Sequence, residues 1–195
     1  MKPTMPLVWM MAGGTGGHIM PGLAVADWLR EQGCEVKWVG NPSKMEGRLV
    51  PAAGYDMLAV AFAGVRGKSL WARLRAPFGL LAAMLALWRA MSAQKPALVV
   101  GMGGYVALPG GLLAKLRGIP IVLHEQNAIA GKTNLWLARL TSHQLEGFPG
   151  ALPQGQWVGN PVRQALASLP EPQVRYEQRS GPLRLLVVGG SLGAA

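Results

Sequence analysis

His18 is the residue whose chemistry is easiest to place, because of what precedes it. It closes the run Gly13-Gly14-Thr15-Gly16-Gly17-His18, which follows an apolar stretch from Leu7 to Ala12 and leads into a helical pattern. Glycine tolerates φ > 0 and carries no side chain, so successive backbone N–H groups can converge on one anion. A helix starting at the same point adds the positive end of its dipole. Strand, glycine loop and helix start therefore make a cradle for a phosphate or diphosphate, with an ionisable imidazole at its rim. Four glycines in five positions exceed what a tight turn requires. A histidine, with an ordinary pKa near ~6.5, suits proton uptake at neutral pH as a general base. It equally suits a helix-terminal hydrogen bonder that only positions a substrate, and both readings stay open.

The familiar phosphate loops do not fit. A dinucleotide fingerprint needs G-x-G-x-x-G and an acidic residue about 20 positions on. Counted from Gly14, its third glycine falls on Ile19, and the second apolar run ends Val39-Gly40-Asn41 without a carboxylate. Walker-like Gly67-Lys68-Ser69 and Gly131-Lys132-Thr133 have Phe62 and Gln126 where the first glycine belongs. No HExxH or paired-cysteine pattern is present, so no metal site is expected.

The opening pattern returns at the end. Leu183–Val188 is an apolar run that enters Gly189-Gly190-Ser191-Leu192-Gly193. The spacing between the two copies is that of a domain, commonly ~100–150 residues. Residues 1–168 read as one domain, 169–182 as a polar, proline-containing linker, and 183–195 as the first strand and loop of a second domain. The natural protein is then expected to be longer, and the isolated chain to be inactive and prone to aggregate through an unpaired strand.

Between the two loops strand and helix signals alternate. Strands are expected at Leu7–Ala12, Glu35–Val39, Tyr55–Ala61, Ala97–Val100 and Ile119–His124, with shorter ones near Gln144 and Trp157. Helices are expected at Ile19–Gln32, after a capping box Ser43-Lys-Met-Glu46, at Ser69–Ala93 with interruptions at Pro77 and Gly79, at Val106–Arg117 and at Gly131–Leu140. Such alternation means an α/β, Rossmann-like parallel sheet with helices on both faces. Its ligands belong beyond the carboxyl ends of the strands, where the glycine loops lie.

Half of the residues are hydrophobic and 14% are charged, which suits a packed core. The one cysteine, Cys34, excludes a disulfide framework and reads as a small buried hydrophobe. The net charge is +10, and no acidic residue lies between Asp56 and Glu125. That stretch attracts a polyanion. Leu80–Leu87 reads as a helix covering the sheet. Arg66–Phe78, with Arg66, Lys68, Leu70, Trp71, Arg73, Leu74, Arg75 and Phe78, reads as a segment lying in an anionic membrane interface. No aromatic sits among glycines in a base-stacking motif, so nucleic acid is not expected.

Five segments together resemble one family: Gly13-Gly-Thr-Gly-Gly-His18, Gly101-Met-Gly-Gly-Tyr105, His124-Glu-Gln-Asn127, Gly159-Asn-Pro-Val-Arg163 and Gly189-Gly-Ser-Leu-Gly193. In this order and spacing they resemble the MurG family of peptidoglycan N-acetylglucosaminyltransferases. The resemblance implies the N-terminal domain of a two-domain GT-B glycosyltransferase. It implies inverting transfer from UDP-N-acetylglucosamine to the N-acetylmuramic acid 4-OH of lipid I, forming lipid II, without a metal or other cofactor. It also implies a peripheral protein on the cytoplasmic face of the bacterial inner membrane, among other cell-wall and division proteins as partners. Carried over residue by residue, His18 becomes the candidate base. Glu125 is a second ionisable candidate, or else orients the Asn127 loop. Thr15, Gly16, Gly17, Asn127, Arg163 and Ser191 become donor contacts. Gly14, Gly103, Gly104 and Tyr105 become acceptor-side residues, with loop packing the alternative for Tyr105. Leu192 stands where the family pattern implies glutamine, which keeps the backbone cradle and loses a side-chain hydrogen bond. Two other readings remain: a glycolipid synthase with a diacylglycerol acceptor, and the acceptor-binding half of a split transferase.

Overall fold

A computed structural model of the chain describes residues 5–60, 70–177 and 179–187, the stretch 70–76 by its backbone alone. Seven parallel strands form one sheet: β1 (Leu7–Ala12), β2 (Glu35–Gly40), β3 (Asp56–Ala59), β4 (Leu98–Gly103), β5 (Ile121–Glu125), β6 (His143–Glu146) and β7 (Gln156–Trp157). Their spatial order is β3-β2-β1-β4-β5-β6-β7. The helices are α1 (Gly16–Glu31), α2 (Met45–Ala52), α3 (Leu70–Ala93), α4 (Ala107–Leu116), α5 (Lys132–Ala138), α6 (Gln164–Ala167) and α7 (Pro172–Tyr176).

β1 lies inside the sheet, between β2 and β4, and all six of its residues are buried. An apolar run without polar alternation is what a parallel strand covered on both faces requires. Its side chains divide by period two. Leu7, Trp9 and Met11 join a core with residues of α3, α4 and α5, and Val8, Met10 and Ala12 join a second core with residues of α1 and α2. Cys34 packs at the margin of the second core, partly buried.

Several boundaries differ from the sequence expectation, each for a physical reason. α1 begins at Gly16, three residues earlier than Ile19, so the second half of the glycine loop is the first helical turn. β4 runs to Gly103 instead of stopping at Val100, because Gly101 pairs with both Met11 and Leu123. The capping box does not form. Ser43 turns its N–H and hydroxyl to Asn41 Oδ1, at 3.0 and 2.7 Å, and Glu46 faces inward, fully buried. β3 is shortened to four residues at the sheet edge, where only one neighbour supports it. Residues 183–187 belong to no strand and are exposed, since no partner strand among the described residues offers them hydrogen bonds. Ser191, Leu192, Arg66 and Lys68 lie outside the described residues.

α3 is continuous through Pro77 and Gly79. Proline inside a helix forfeits one hydrogen bond and strains the preceding turn, yet packing downstream carries the helix on. Ala83, Leu87 and Met91, spaced by four, are buried against the sheet. The expectation that Leu80–Leu87 covers the core holds for that stripe alone. The opposite stripe, Phe78, Leu81, Leu85 and Trp88, is 73%, 62%, 50% and 44% exposed. The two faces should respond differently to truncation. Leu87→Ala is expected to lower stability by about 2–5 kcal/mol, and Leu85→Ala to stay within about 0.5 kcal/mol; urea unfolding of the two variants measures both.

Candidate active site at the switch of strand order

Strand order reverses between β1 and β4, the place where open parallel sheets leave a crevice beyond their strand ends. Two glycine loops leave the sheet there, Gly13–Thr15 after β1 and Gly104–Tyr105 after β4. They pass so closely that a Cβ on Gly104, whose φ is +83°, would sit 2.1 Å from the Gly13 carbonyl oxygen. Gly104 thus serves backbone approach and a left-handed turn at once.

The two loops are held by Glu46. Its carboxylate accepts the Gly14 N–H at 3.2 Å, the Asn41 N–H at 3.3 Å and the Tyr105 hydroxyl at 2.7 Å. One buried side chain therefore ties the first glycine loop, the β2–α2 loop and the β4–α4 loop together. Burial, and then the bond to Glu46, pushes the Tyr105 phenol far above the ordinary tyrosine range, so Tyr105 acts here as a hydrogen-bond donor. Its ring lies against Gly14, 3.7 Å from where a Cβ would be. The loop-packing alternative for Tyr105 describes these contacts.

His18 occupies the first turn of α1, half-buried, and its N–H and that of Ile19 share the Thr15 carbonyl. The N–H groups of Gly16 and Gly17 precede any intrahelical bond and stand open at the helix start. The His18 ring lies over the end of β4, where a Cβ on Gly103 would come within 3.0 Å of Cε1. Gly103 thus makes room for the imidazole. His18 Nδ1 lies 2.8 Å from Gln126 Oε1, which brings together two motifs 108 residues apart.

The segment after β5 is organised by Glu125. One carboxylate oxygen accepts the N–H and the Nδ2 of Asn127, at 3.0 and 2.8 Å. The other accepts the Gly131 N–H at 3.0 Å and Asn134 Nδ2 at 2.9 Å. Both oxygens are engaged by the loop after β5 and by Asn134 on α5, and Glu125 is fully buried, the geometry of an orienting group. Asn127 itself is exposed. Gly159 and Asn160 are stitched to the same loop through His124 Nε2 to the Gly159 carbonyl, 2.9 Å, and Asn160 Nδ2 to the Gln126 carbonyl, 3.1 Å. Burial lowers the His124 pKa, against the opposing effects of the Gly159 bond and the Glu125 charge, and favours a neutral ring. Arg163 follows as an exposed residue at the start of α6.

Thr15, Gly16, Gly17, His18, Gly103, Gly104 and Tyr105 thus gather at one crevice, with the Asn127 loop linked to it through Gln126. Glu46, Gln126 and Asn134 are structural members that sequence reasoning did not single out. The capping-box reading gave Glu46 only a local role at a helix start, and an amide whose partners lie across the fold leaves no local pattern.

Residues 8–144 match the glycosyltransferase family 28 N-terminal domain. The chain belongs to that family. A protein of Bordetella petrii named UDP-N-acetylglucosamine--N-acetylmuramyl-(pentapeptide) pyrophosphoryl-undecaprenol N-acetylglucosamine transferase is 60% identical over 189 residues, covering 97% of this chain and 53% of the relative. The protein of the same name from Burkholderia pseudomallei is 54% identical over 195 residues, covering 100% of this chain and 53% of its own length. The crystal structure of Acinetobacter baumannii MurG superposes with a TM-score of 0.78 and 43% identity, over 96% of this chain and 53% of that one. The chain spans about half the length of the curated relatives it matches. The parallel sheet with helices on both faces is the fold expected of a family 28 N-terminal domain.

Glu46 is the family member's internal clamp, so Glu46→Gln, which keeps the size and loses acceptor capacity, is expected to cost about 1–3 kcal/mol. Thermal unfolding measures this, and an unchanged transition would show that the three loops hold without it.

Proposed function

We propose that this chain supplies the acceptor-side and membrane-facing half of an inverting glycosyltransferase that moves N-acetylglucosamine from UDP-N-acetylglucosamine to the 4-OH of the N-acetylmuramic acid of lipid I. The observation that carries this reading is His18 at the mouth of the β1–α1 glycine loop, in a family 28 domain whose relatives bear that transferase name. In the reaction the acceptor oxygen attacks the anomeric carbon from the face opposite the diphosphate. The new C1–O4 bond forms as the C1–O bond to the diphosphate breaks, and UDP leaves with the electron pair. His18 takes the proton from the 4-OH. Gly16 and Gly17 offer backbone N–H groups, and Thr15 a hydroxyl, to phosphate or sugar at the positive end of α1. Glu125 shapes the Asn127 loop, and Asn127 and Arg163 face the donor. Ser191 and the loop around Leu192 would complete the donor side from a second domain that begins near residue 183. No step in this scheme calls on a metal or a cofactor.

The reading predicts acceptor-dependent UDP release by the full-length protein. His18→Ala should lower kcat roughly 10²–10⁴-fold, the usual worth of a general base. Release with diacylglycerol in place of a lipid I analogue would move the reading to a glycolipid synthase. Undiminished kcat in His18→Ala would leave His18 a positioning role.

The second half of the proposal is a peripheral site on an anionic bilayer, the cytoplasmic face of the inner membrane. No helix among the described residues is long and apolar enough to cross a membrane. The outer stripe of α3 offers Phe78, Leu81, Leu85 and Trp88, and the neighbouring helices add exposed Leu116 on α4 and Trp136 on α5. Arg117 lies over the Trp88 ring at 4.6 Å and Arg139 over the Trp136 ring at 5.2 Å. Aromatic and aliphatic groups rimmed by arginine suit an interface, with each basic residue adding about 1 kcal/mol on anionic lipid. In sedimentation with vesicles containing anionic lipid, Leu81→Ser with Leu85→Ser is expected to weaken binding at least tenfold. Equal binding by the double variant would place the contact elsewhere.

A further inference from the structure

Three side chains form a hydrogen-bonded line that starts at a backbone carbonyl and ends at His18. The line reads Gly159 C=O, His124, Gln126, His18. His124 Nε2 lies 2.9 Å from the Gly159 oxygen, Gln126 Nε2 lies 3.0 Å from His124 Nδ1, and Gln126 Oε1 lies 2.8 Å from His18 Nδ1. Gln126 Nε2 also lies 2.9 Å from the His124 carbonyl oxygen.

Donor and acceptor identity along this line can be worked out from either end. A carbonyl oxygen only accepts, so the amide atom facing the His124 carbonyl must be the NH₂ group of Gln126. That fixes the amide, and its oxygen then faces His18. An amide oxygen only accepts, so His18 Nδ1 must carry the proton. The second N–H of the same amide points at His124 Nδ1, which must accept. His124 therefore carries its proton on Nε2, where the Gly159 carbonyl requires a donor in any case. The two ends give the same answer without sharing an assumption. A neutral His124 is consistent with its burial, which disfavours the imidazolium.

From this we infer that Gln126, itself fixed by His124, holds His18 as the Nδ1–H tautomer and so leaves His18 Nε2 as the open, unprotonated nitrogen. The surroundings keep the ring in place. Gly103 admits it at the end of β4, and Asn134 Nδ2 contributes a further bond to the His124 carbonyl at 3.2 Å. Gln126 is 6% exposed and His124 3% exposed, so these two side chains are held largely out of water. Gln126 and His124 are positioning residues. They touch no reacting atom, but they determine which nitrogen can receive a proton. The inference rests on the proposed transferase only for its kinetic consequence; the tautomer is a property of the resting protein.

The test is long-range ¹H–¹⁵N correlation on full-length protein with ¹⁵N-histidine, without substrates. The His18 signal is assigned by its loss in His18→Ala. The expected pattern is a protonated Nδ1 and an unprotonated Nε2 for His18, and the reverse for His124. Gln126→Leu removes the acceptor, and a substantial Nε2–H population should appear at His18. Its kcat is expected to fall roughly 10²–10⁴-fold, the scale seen when a catalytic imidazole sits in the wrong tautomer, with little change in KM. Gln126→Glu keeps an acceptor against Nδ1 and deletes both donors, so it should keep the His18 tautomer and disturb His124. A wild-type His18 protonated on Nε2 overturns the inference whether or not any variant folds. So does a Gln126→Leu protein with an unchanged His18 pattern. If the tautomers are as expected and UDP release fails, the transferase reading fails and the line stands.

Discussion

Everything at the candidate site follows from one constraint of parallel sheets. Every strand points its carboxyl end the same way, and where the strand order reverses two neighbouring strands send their loops to opposite faces. Here those strands are β1 and β4, so the sheet opens between the runs Gly13–Thr15 and Gly104–Tyr105. The crevice is forced by topology, and the glycines determine how narrow it can be. A side chain on Gly104 would collide with the Gly13 backbone, and one on Gly103 would crowd the His18 ring.

A crevice at strand ends exposes backbone groups that need partners. This fold supplies them with buried carboxylates. Glu46 gathers the loops around β1, β2 and β4, and Glu125 gathers the loop after β5. Glu146 does the same farther along, taking the Leu152 and Gly150 N–H groups at 2.8 and 2.7 Å, which holds its carboxyl below the ordinary range. The partners of these carboxylates are backbone N–H groups, amides and a phenol. A carboxylate bonded to several loop donors fixes backbone more directly than a surface ion pair would, since each bond names a particular residue of the chain.

The strands and the glycine loops were readable from sequence because burial on both faces and positive φ each demand particular residue types. β1 is apolar throughout, and glycine occupies the turns that require it. What could not be read depends on tertiary partners. The sequence points to a start of α1 at Ile19, three residues late, because Gly16 and Gly17 are poor helix formers locally, although the fold seats them in the first turn. Pro77 looked like a break because nothing local reveals the Ala83, Leu87 and Met91 stripe beneath it. Gln126 stands between the site candidates Glu125 and Asn127 in His124-Glu-Gln-Asn127, yet its contact with His18 spans 108 residues. The short strands β6 and β7 do lie where the sequence places them, near Gln144 and Trp157.

The central claim is that the imidazole of His18 meets the acceptor hydroxyl in this crevice. A structure of the full-length protein with UDP and a lipid I analogue would test it most directly. The account predicts the N-acetylmuramic acid 4-OH within hydrogen-bond reach of His18 Nε2, about 2.6–3.2 Å. A 4-OH facing another ionisable side chain, with His18 Nε2 turned away from the acceptor, would contradict it.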